Sequence, residues 1–346
     1  MESLAVTTTG EVAWPLAQRA GRAATIVRVR DVGIGGAEFV VIAGPCSVET
    51  REQIGEIAAR VGRAGAAMFR AGAFKPRTSP YAFQGLGAGG LALLAETVSP
   101  ALPVVTEALD AAQLERVAGA ADVVQIGARN MHNTSLLCAA AACGRPVLLK
   151  RGFAATIEEL LLAAEYLLAH GNPHVILCER GIRTFERATR NTADLASVAL
   201  LKRLTHLPVL VDPSHATGRA DLVAPVAHAA LAAGADGLMI EVHHQPAQSW
   251  SDADQAISCD AFDDLMRALA VRAPLFGRTV RPAAGADAGA LRQCRDVIEG
   301  IDEALVALLS ERDKVARAAD AIARRLATGQ IRERESEREE VSRDSK

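Results

Sequence analysis

Ala66-Ala67-Met68-Phe69-Arg70-Ala71-Gly72-Ala73-Phe74-Lys75-Pro76-Arg77-Thr78-Ser79-Pro80-Tyr81 is the stretch on which the reading of the fold turns. The apolar run up to Phe69 has the length of a strand rather than a helix. It opens at Arg70 into a loop that adds Lys75, Arg77, Thr78, Ser79 and two prolines. Arginine grips phosphate or carboxylate with two donors and lysine offers a point charge. Pro76 and Pro80 stiffen the loop, so less entropy is lost when it closes on a ligand. A single such loop reads as a solvated basic turn; the rest of the chain repeats the pattern.

Working outward, short apolar runs occur at Phe39–Ala43, Ala67–Ala71, Pro103–Thr106, Val123–Ile126, Pro146–Leu149, Val175–Cys178, Pro208–Val211 and Gly237–Ile240. Between them lie segments of helical spacing, among them Arg51–Val61, Ile157–His170, Thr192–Arg203 and Leu222–Ala233. The runs lack polar alternation, as strands of a parallel sheet buried on both faces do. Eight such units predict a (β/α)8 TIM barrel rather than an open doubly wound sheet. Upstream, Ala24–Val32 and Glu38–Ile42 are expected to form a short N-terminal hairpin across Gly33-Ile34-Gly35-Gly36, and Met1–Gly10 is weakly patterned.

Composition sets the limits. Of 346 residues, 50% are hydrophobic but only 3% aromatic, so Ala, Leu and Val must fill a large core. A net charge of -3 gives no general attraction to nucleic acid or an anionic membrane, and neither is expected as a partner. No apolar stretch reaches the length of a membrane span and no signal peptide is evident. Six scattered cysteines without a C-x-x-C pattern fit a reduced, cytoplasmic setting.

The strand ends carry the chemistry. They read Gly44-Pro45-Cys46-Ser47, Lys75-Pro76-Arg77, Glu107, Gly127-Ala128-Arg129-Asn130, Lys150-Arg151-Gly152, Glu179-Arg180-Gly181, Asp212-Pro213-Ser214-His215 and Glu241-Val242-His243. In a barrel all of these lie on the face that bears active sites. Arg70, Lys75, Arg77, Arg129, Lys150, Arg180 and Arg183 form a candidate anion cage for small phosphorylated or carboxylated ligands. Cys46, His215, Glu241 and Asp252 offer a thiolate, an imidazole and two carboxylates, a set that suits a divalent transition metal such as Mn, Fe, Co or Zn. Their wide separation makes spacing alone a weak argument.

The motifs Ala43-Gly-Pro-Cys-Ser-Val-Glu49, Gly72-Ala-Phe-Lys-Pro-Arg-Thr-Ser-Pro80, Gln125-Ile-Gly-Ala-Arg-Asn130, Leu149-Lys-Arg-Gly152, Glu179-Arg-Gly-Ile-Arg-Thr-Phe185, Asp212-Pro-Ser-His-Ala-Thr-Gly218, Gly237-Leu-Met-Ile-Glu-Val-His243 and Ser251-Asp252 resemble the type I beta 3-deoxy-D-arabino-heptulosonate 7-phosphate (DAHP) synthases. The resemblance runs from about Val27 to Ala270. It implies a metal-dependent, aldol-like condensation of phosphoenolpyruvate with erythrose 4-phosphate and water, the first step of the shikimate route to aromatic amino acids. Residue by residue, it implies Arg70 and Lys75 at the phosphoenolpyruvate carboxylate, with Lys75 moving protons, and Arg129, Lys150 and Arg180 at its phosphate. It implies Arg77, Thr78 and Ser79 at the erythrose phosphate, and Cys46, His215, Glu241 and Asp252 as metal ligands. Lys75, Cys46 and His215 are then the catalytic candidates, and manganese is the first metal to expect, ahead of Fe2+, Co2+ or Zn2+. The sister 3-deoxy-manno-octulosonate 8-phosphate synthases, which use arabinose 5-phosphate, carry K-A-N-R where this chain has Lys75-Pro76-Arg77-Thr78.

Beyond Ala270 the character changes. The reading divides the chain into an N-terminal segment 1–37, a barrel 38–273, a Gly-, Pro- and Ala-rich linker 274–290 and a helical tail 291–346. Val297, Ile298, Ile301, Leu305, Leu308, Leu309 and Val315 recur at threes and fours. Leu291-Arg-Gln-Cys-Arg295 and Glu311-Arg312 resemble the first helix of all-helical chorismate mutases, with Arg295 and Arg312 matching two of that family's arginines. Ala323 stands where that family has a lysine, so a truncated, inactive mutase-like helix is expected. A homo-oligomer (dimer or tetramer) and a separate chorismate mutase are the expected protein partners. A non-catalytic regulator of such a mutase is the alternative from another functional class. The N-terminal segment reads as too short for the ferredoxin-like regulatory domain of some relatives.

Overall fold

A computed structural model of the chain describes residues 13–77, 79–284 and 297–324. Contact density divides it into a unit ending at Ala284 and a second beginning at Gly285.

The first unit is the expected barrel. Eight parallel strands close on themselves: β3 (Val40–Gly44), β4 (Met68–Arg70), β5 (Val104–Glu107), β6 (Val123–Ile126), β7 (Val147–Lys150), β8 (Val175–Glu179), β9 (Val209–Val211) and β10 (Gly237–His243), with β10 pairing to both β9 and β3. Their side chains alternate between two cores. Ile42, Met68, Val105, Val123, Leu148, Ile176, Leu210 and Met239 fill the interior. Val41, Phe69, Val104, Val124, Leu149, Leu177, Val211 and Ile240 pack outward under the helices. Both faces are therefore apolar, which is why the strands read as unbroken hydrophobic runs.

Side-chain caps start the intervening helices. Thr50 caps α1 (Arg51–Arg63), and Thr156 with Glu159 forms a reciprocal capping box on α5 (Ile157–Ala169). Asp194 accepts from the Ser197 amide and starts α6 at Leu195 (Leu195–Leu204), three residues later than the spacing suggested.

The hairpin exists, but elsewhere. Its strands are β1 (Val27–Val29) and β2 (Val32–Ile34), turning at Arg30-Asp31, not at Gly33–Gly36. Val40–Ile42, within the expected second arm Glu38–Ile42, belongs instead to the first barrel strand, in keeping with the apolar run Phe39–Ala43, and Gly33 pairs with Arg28 inside the hairpin. Val27, Val29, Val32 and Ile34 join the interior core and plug the amino-terminal end of the barrel. There Arg30 binds Asp122, just ahead of β6.

The segment expected as a linker is partly built into the same end. Phe39 donates to the Thr279 carbonyl (2.7 Å), Thr279 to that of Ala37 (3.0 Å), Arg278 to Asp236 and Ala284 to the Arg63 carbonyl. The compact unit therefore runs to Ala284.

In the second unit, residues 297–324 form one continuous helix. Ile298, Ile301, Leu305, Leu308, Leu309, Val315 and Ile322 are each at least half exposed. Among the described residues no helix is long and apolar enough to cross a membrane. Cys46, Cys138, Cys143, Cys178 and Cys259 are free thiols.

Candidate active site

Every barrel strand delivers its last residues to one mouth. At the first, Gly44 has φ +155°, and a Cβ there would lie 2.1 Å from the Arg70 carbonyl oxygen. Only glycine lets β3 and β4 approach so closely, and that approach sets Cys46 beside the Lys75 loop. Lys75 Nζ lies 2.9 Å from both the Cys46 carbonyl and Cys46 Sγ.

The metal-competent side chains converge. One ligand atom each from Cys46, Glu241 and Asp252 lie within 4.8 Å of one another, and Cys46 Sγ is 3.0 Å from Asp252 Oδ2. His215 sits in α7 (Pro213–Thr217), the short helix that Asp212 caps directly after β9. Its Nδ1 donates to Asp212 Oδ2 (2.7 Å), which leaves Nε2, 3.4 Å from Glu241 Oε1, as the basic nitrogen facing the cluster. The donor set therefore fits a divalent transition metal held by Cys46, His215, Glu241 and Asp252.

Charge states agree with that fit. Burial, reinforced by Glu241, pushes the Cys46 thiol up to about 12, although Lys75 opposes it. A bound cation reverses this by displacing the proton. Burial works against the Glu241 carboxylate, but His215, Arg70 and Lys75 outweigh it and bring it down to about 2. Asp252 is likewise held below the usual carboxylate range despite burial, by the Cys46 hydrogen bond and Arg190. Burial lowers the His215 pKa against the pull of Asp212 and Glu241, favouring the neutral imidazole that a metal needs.

The cations surround a cleft lined by Arg70, Lys75, Arg77, Arg129, Lys150 and Arg180, with Arg190, Glu107 and Gln125. They are not uniformly bare. Arg70 pairs with Glu241 (2.6 Å) and Lys150 with Asp212, both buried. By contrast Arg129, Arg180 and Arg183 stand 5.4, 4.8 and 4.9 Å from the centre of the Phe153 ring. None of these three has a salt bridge among the described residues. Three guanidinium groups around one ring, none of them in a direct ion pair among the described residues, leave positive potential for an anion. Arg70 Nε is also buried without a partner.

Of the expected site residues, the structure brings together Cys46, Arg70, Lys75, Arg77, Arg129, Lys150, Arg180, His215, Glu241 and Asp252. Ser79 is exposed, and its hydroxyl accepts from the Tyr81 amide in its own loop. Thr78 lies outside the described residues.

Sequence reading missed the residues that tie these groups together. Gln255 Nε2 donates to Glu241 Oε2 (2.6 Å), and Arg190 donates to Gln255 Oε1 (2.6 Å) and lies 3.4 Å from Asp252. Trp250, two residues before Asp252, meets the Phe83 ring edge-on at 5.1 Å, and Phe83 offers its carbonyl to Arg77 Nε. The pair Lys150-Arg151 also divides. Lys150 faces the cleft, while Arg151 turns away to bind Glu179 (2.8 Å), Asp194 (2.9 Å) and Ser197. Strand alternation was the available signal.

Residues 19–272 match the model of the DAHP synthetase I family. The chain is 50% identical over 254 residues to phospho-2-dehydro-3-deoxyheptonate aldolase of Thermotoga maritima, covering 73% of this chain and 75% of that protein. A 2-dehydro-3-deoxyphosphooctonate aldolase from a Bradyrhizobium species is 34% identical over 270 residues, covering 72% and 94%. A crystal structure of the Thermotoga maritima DAHP synthase superposes with a TM-score of 0.76 at 48% identity, covering 78% of this chain and 79% of that one. A truncated form of the Thermotoga maritima enzyme gives 0.73 at 45% identity, covering 78% and 99%.

Proposed function

The chain belongs to the DAHP synthetase I family and has DAHP synthase activity; we propose how the residues at the barrel mouth carry that reaction. Phosphoenolpyruvate condenses with erythrose 4-phosphate and water to give DAHP and phosphate. The observation that carries the reading is the place of Lys75, 2.9 Å from Cys46 Sγ and lining the cation-rich cleft. A proton-moving amine thus joins the metal-competent cluster to the substrate space.

Arg70 and Lys75 hold the phosphoenolpyruvate carboxylate. Their places in the lining of the cleft support this role. Arg129, Lys150 and Arg180 take the phosphate, a role supported by the crowding of Arg129 and Arg180 at Phe153. Arg77 and Thr78 receive the erythrose phosphate from the stiff Lys75-Pro76-Arg77-Thr78 loop, and Ser79 joins them only if its exposed hydroxyl turns inward. A divalent cation at Cys46, His215, Glu241 and Asp252, with manganese the first choice, supplies Lewis acidity toward the aldehyde carbonyl. C3 of phosphoenolpyruvate attacks that aldehyde carbon. Water adds at C2, and the resulting hemiketal phosphate collapses with loss of phosphate, with Lys75 moving the protons. We place the enzyme in the cytoplasm.

Phosphate release from phosphoenolpyruvate tests the reading, with erythrose 4-phosphate and arabinose 5-phosphate offered in parallel. Turnover with erythrose 4-phosphate, abolished by EDTA and restored by Mn2+, is the expected result. Turnover with arabinose 5-phosphate alone would transfer the chain to the octulosonate reaction.

We further propose that the tail helix assembles with a second copy of this chain. Positions 298, 301, 305, 308, 312, 315, 319 and 322 alternate by threes and fours, the spacing of a coiled-coil seam. All are apolar except Arg312, and one charged seam position fixes register in such pairings. A chain ending at residue 284 should keep its synthase rate yet sediment as a smaller assembly than the full chain. An unchanged mass would remove this role and leave a separate chorismate mutase as the partner to test.

A further inference from the structure

Asp252 reaches the metal-competent cluster from an irregular loop between β10 and Ile257, and its backbone is left-handed (φ 52°, ψ 41°). A residue with a side chain holds that conformation when its surroundings fix it. Just ahead of Asp252, the loop is tied to a carboxylate from the other side of the cluster. Glu49, buried three residues beyond Cys46, accepts from the Trp250 amide (2.9 Å) and the Ser249 hydroxyl (3.3 Å) through Oε1. Its Oε2 faces His243 Nε2 at 3.4 Å; His243 Nδ1 accepts from the Gln245 amide, so Nε2 carries the proton. Alongside, the Ser47 and Ser251 hydroxyls meet at 2.8 Å. Gln53 secures the near side by accepting from the Glu49 amide and donating to the Ser47 carbonyl.

We propose that Glu49 is a positioning residue that clamps the loop 245–252 onto the Cys46 segment, and so presets the separation of Cys46 and Asp252 for the divalent cation. Glu49 touches neither the cleft nor the ligand atoms. It acts through the backbone of the residues that flank both ligands, and one carboxylate serves both sides at once. The inference rests on the metal-dependent reading above.

The test compares full-length wild type, Glu49→Gln and Ser251→Ala by cobalt(II) titration against a chromophoric chelator and by the thiolate-to-cobalt charge-transfer band. The glutamine side chain keeps the volume of the glutamate but places an amide NH2 among donors. Glu49→Gln should weaken cobalt binding about 10- to 100-fold, the range for residues that orient metal ligands. The thiolate band should also shift or weaken. Ser251→Ala should lose less affinity in the same direction, and it decides the matter alone if Glu49→Gln does not fold. A lowered melting temperature with unchanged cobalt affinity and an unchanged band would make the clamp merely structural and overturn the proposal. A wild type that gives no thiolate band would remove the metal reading itself, and the proposal with it.

Discussion

Lys75→Met lowers kcat about 1,000-fold while metal content stays at or above the wild-type level. Methionine fills most of the lysine's volume, so the cost to packing is small. Lost with the amine are the Nζ bonds to the Cys46 carbonyl and Sγ, and the proton carrier of the proposed condensation. Positioned proton transfer is worth about 100- to 10,000-fold. Lys75 also acts electrostatically on Glu241 and Asp252, stabilising both carboxylates in the absence of a cation. Removing that positive charge from the cluster makes room for another, so cobalt or manganese affinity should hold or rise. Activity and metal binding then separate, which a disrupted fold could not produce. The checks are steady-state phosphate release and metal analysis of the same preparation. Loss of metal in proportion to loss of rate would show that Lys75 supports the cluster rather than the chemistry.

The barrel was legible because each strand is buried on both faces, so eight hydrophobic runs stood out without any alternation to interpret. The hairpin turn was not, because Arg30 adopts φ +52° where a sequence reader looks for glycine, while Gly33 lies within a strand. Composition also could not show that residues after Pro274 dock, since that docking rests on backbone bonds such as Phe39 to Thr279. At the site, the cations and metal-competent residues were legible from their places at strand ends. Their partners were not. Gln255 and Arg190 sit at ordinary positions in the chain and acquire meaning only when closure of the barrel sets them against Glu241 and Asp252. The same closure explains why a crowd of arginines and lysines is tolerated before any anionic ligand arrives. The innermost of them already face buried carboxylates.

That balance makes Arg70 the residue whose loss should be felt most in stability. Its guanidinium, 4% exposed, pairs at 2.6 Å with Glu241, 1% exposed, and also donates to the Pro45 carbonyl. In Arg70→Met the Glu241 carboxylate keeps Gln255 as a donor but loses a main countercharge. Removing one partner of a buried pair costs about 3–5 kcal/mol, which for a unit of this size corresponds to a fall of about 6–20 °C in the melting temperature of the metal-free protein. The proposed metal offers a second source of positive charge at the same carboxylate. At a hundredfold excess over Kd a ligand of the folded state adds about 2.7 kcal/mol. Mn2+ should therefore raise the melting temperature of Arg70→Met by more than it raises that of wild type, because only in the variant is Glu241 short of a countercharge. Turnover should stay low even with metal restored, since Arg70 is also the proposed partner of the phosphoenolpyruvate carboxylate. Calorimetry with and without Mn2+ on both proteins decides the point. Equal metal-induced shifts in the two would mean that the cation does not sit against Glu241.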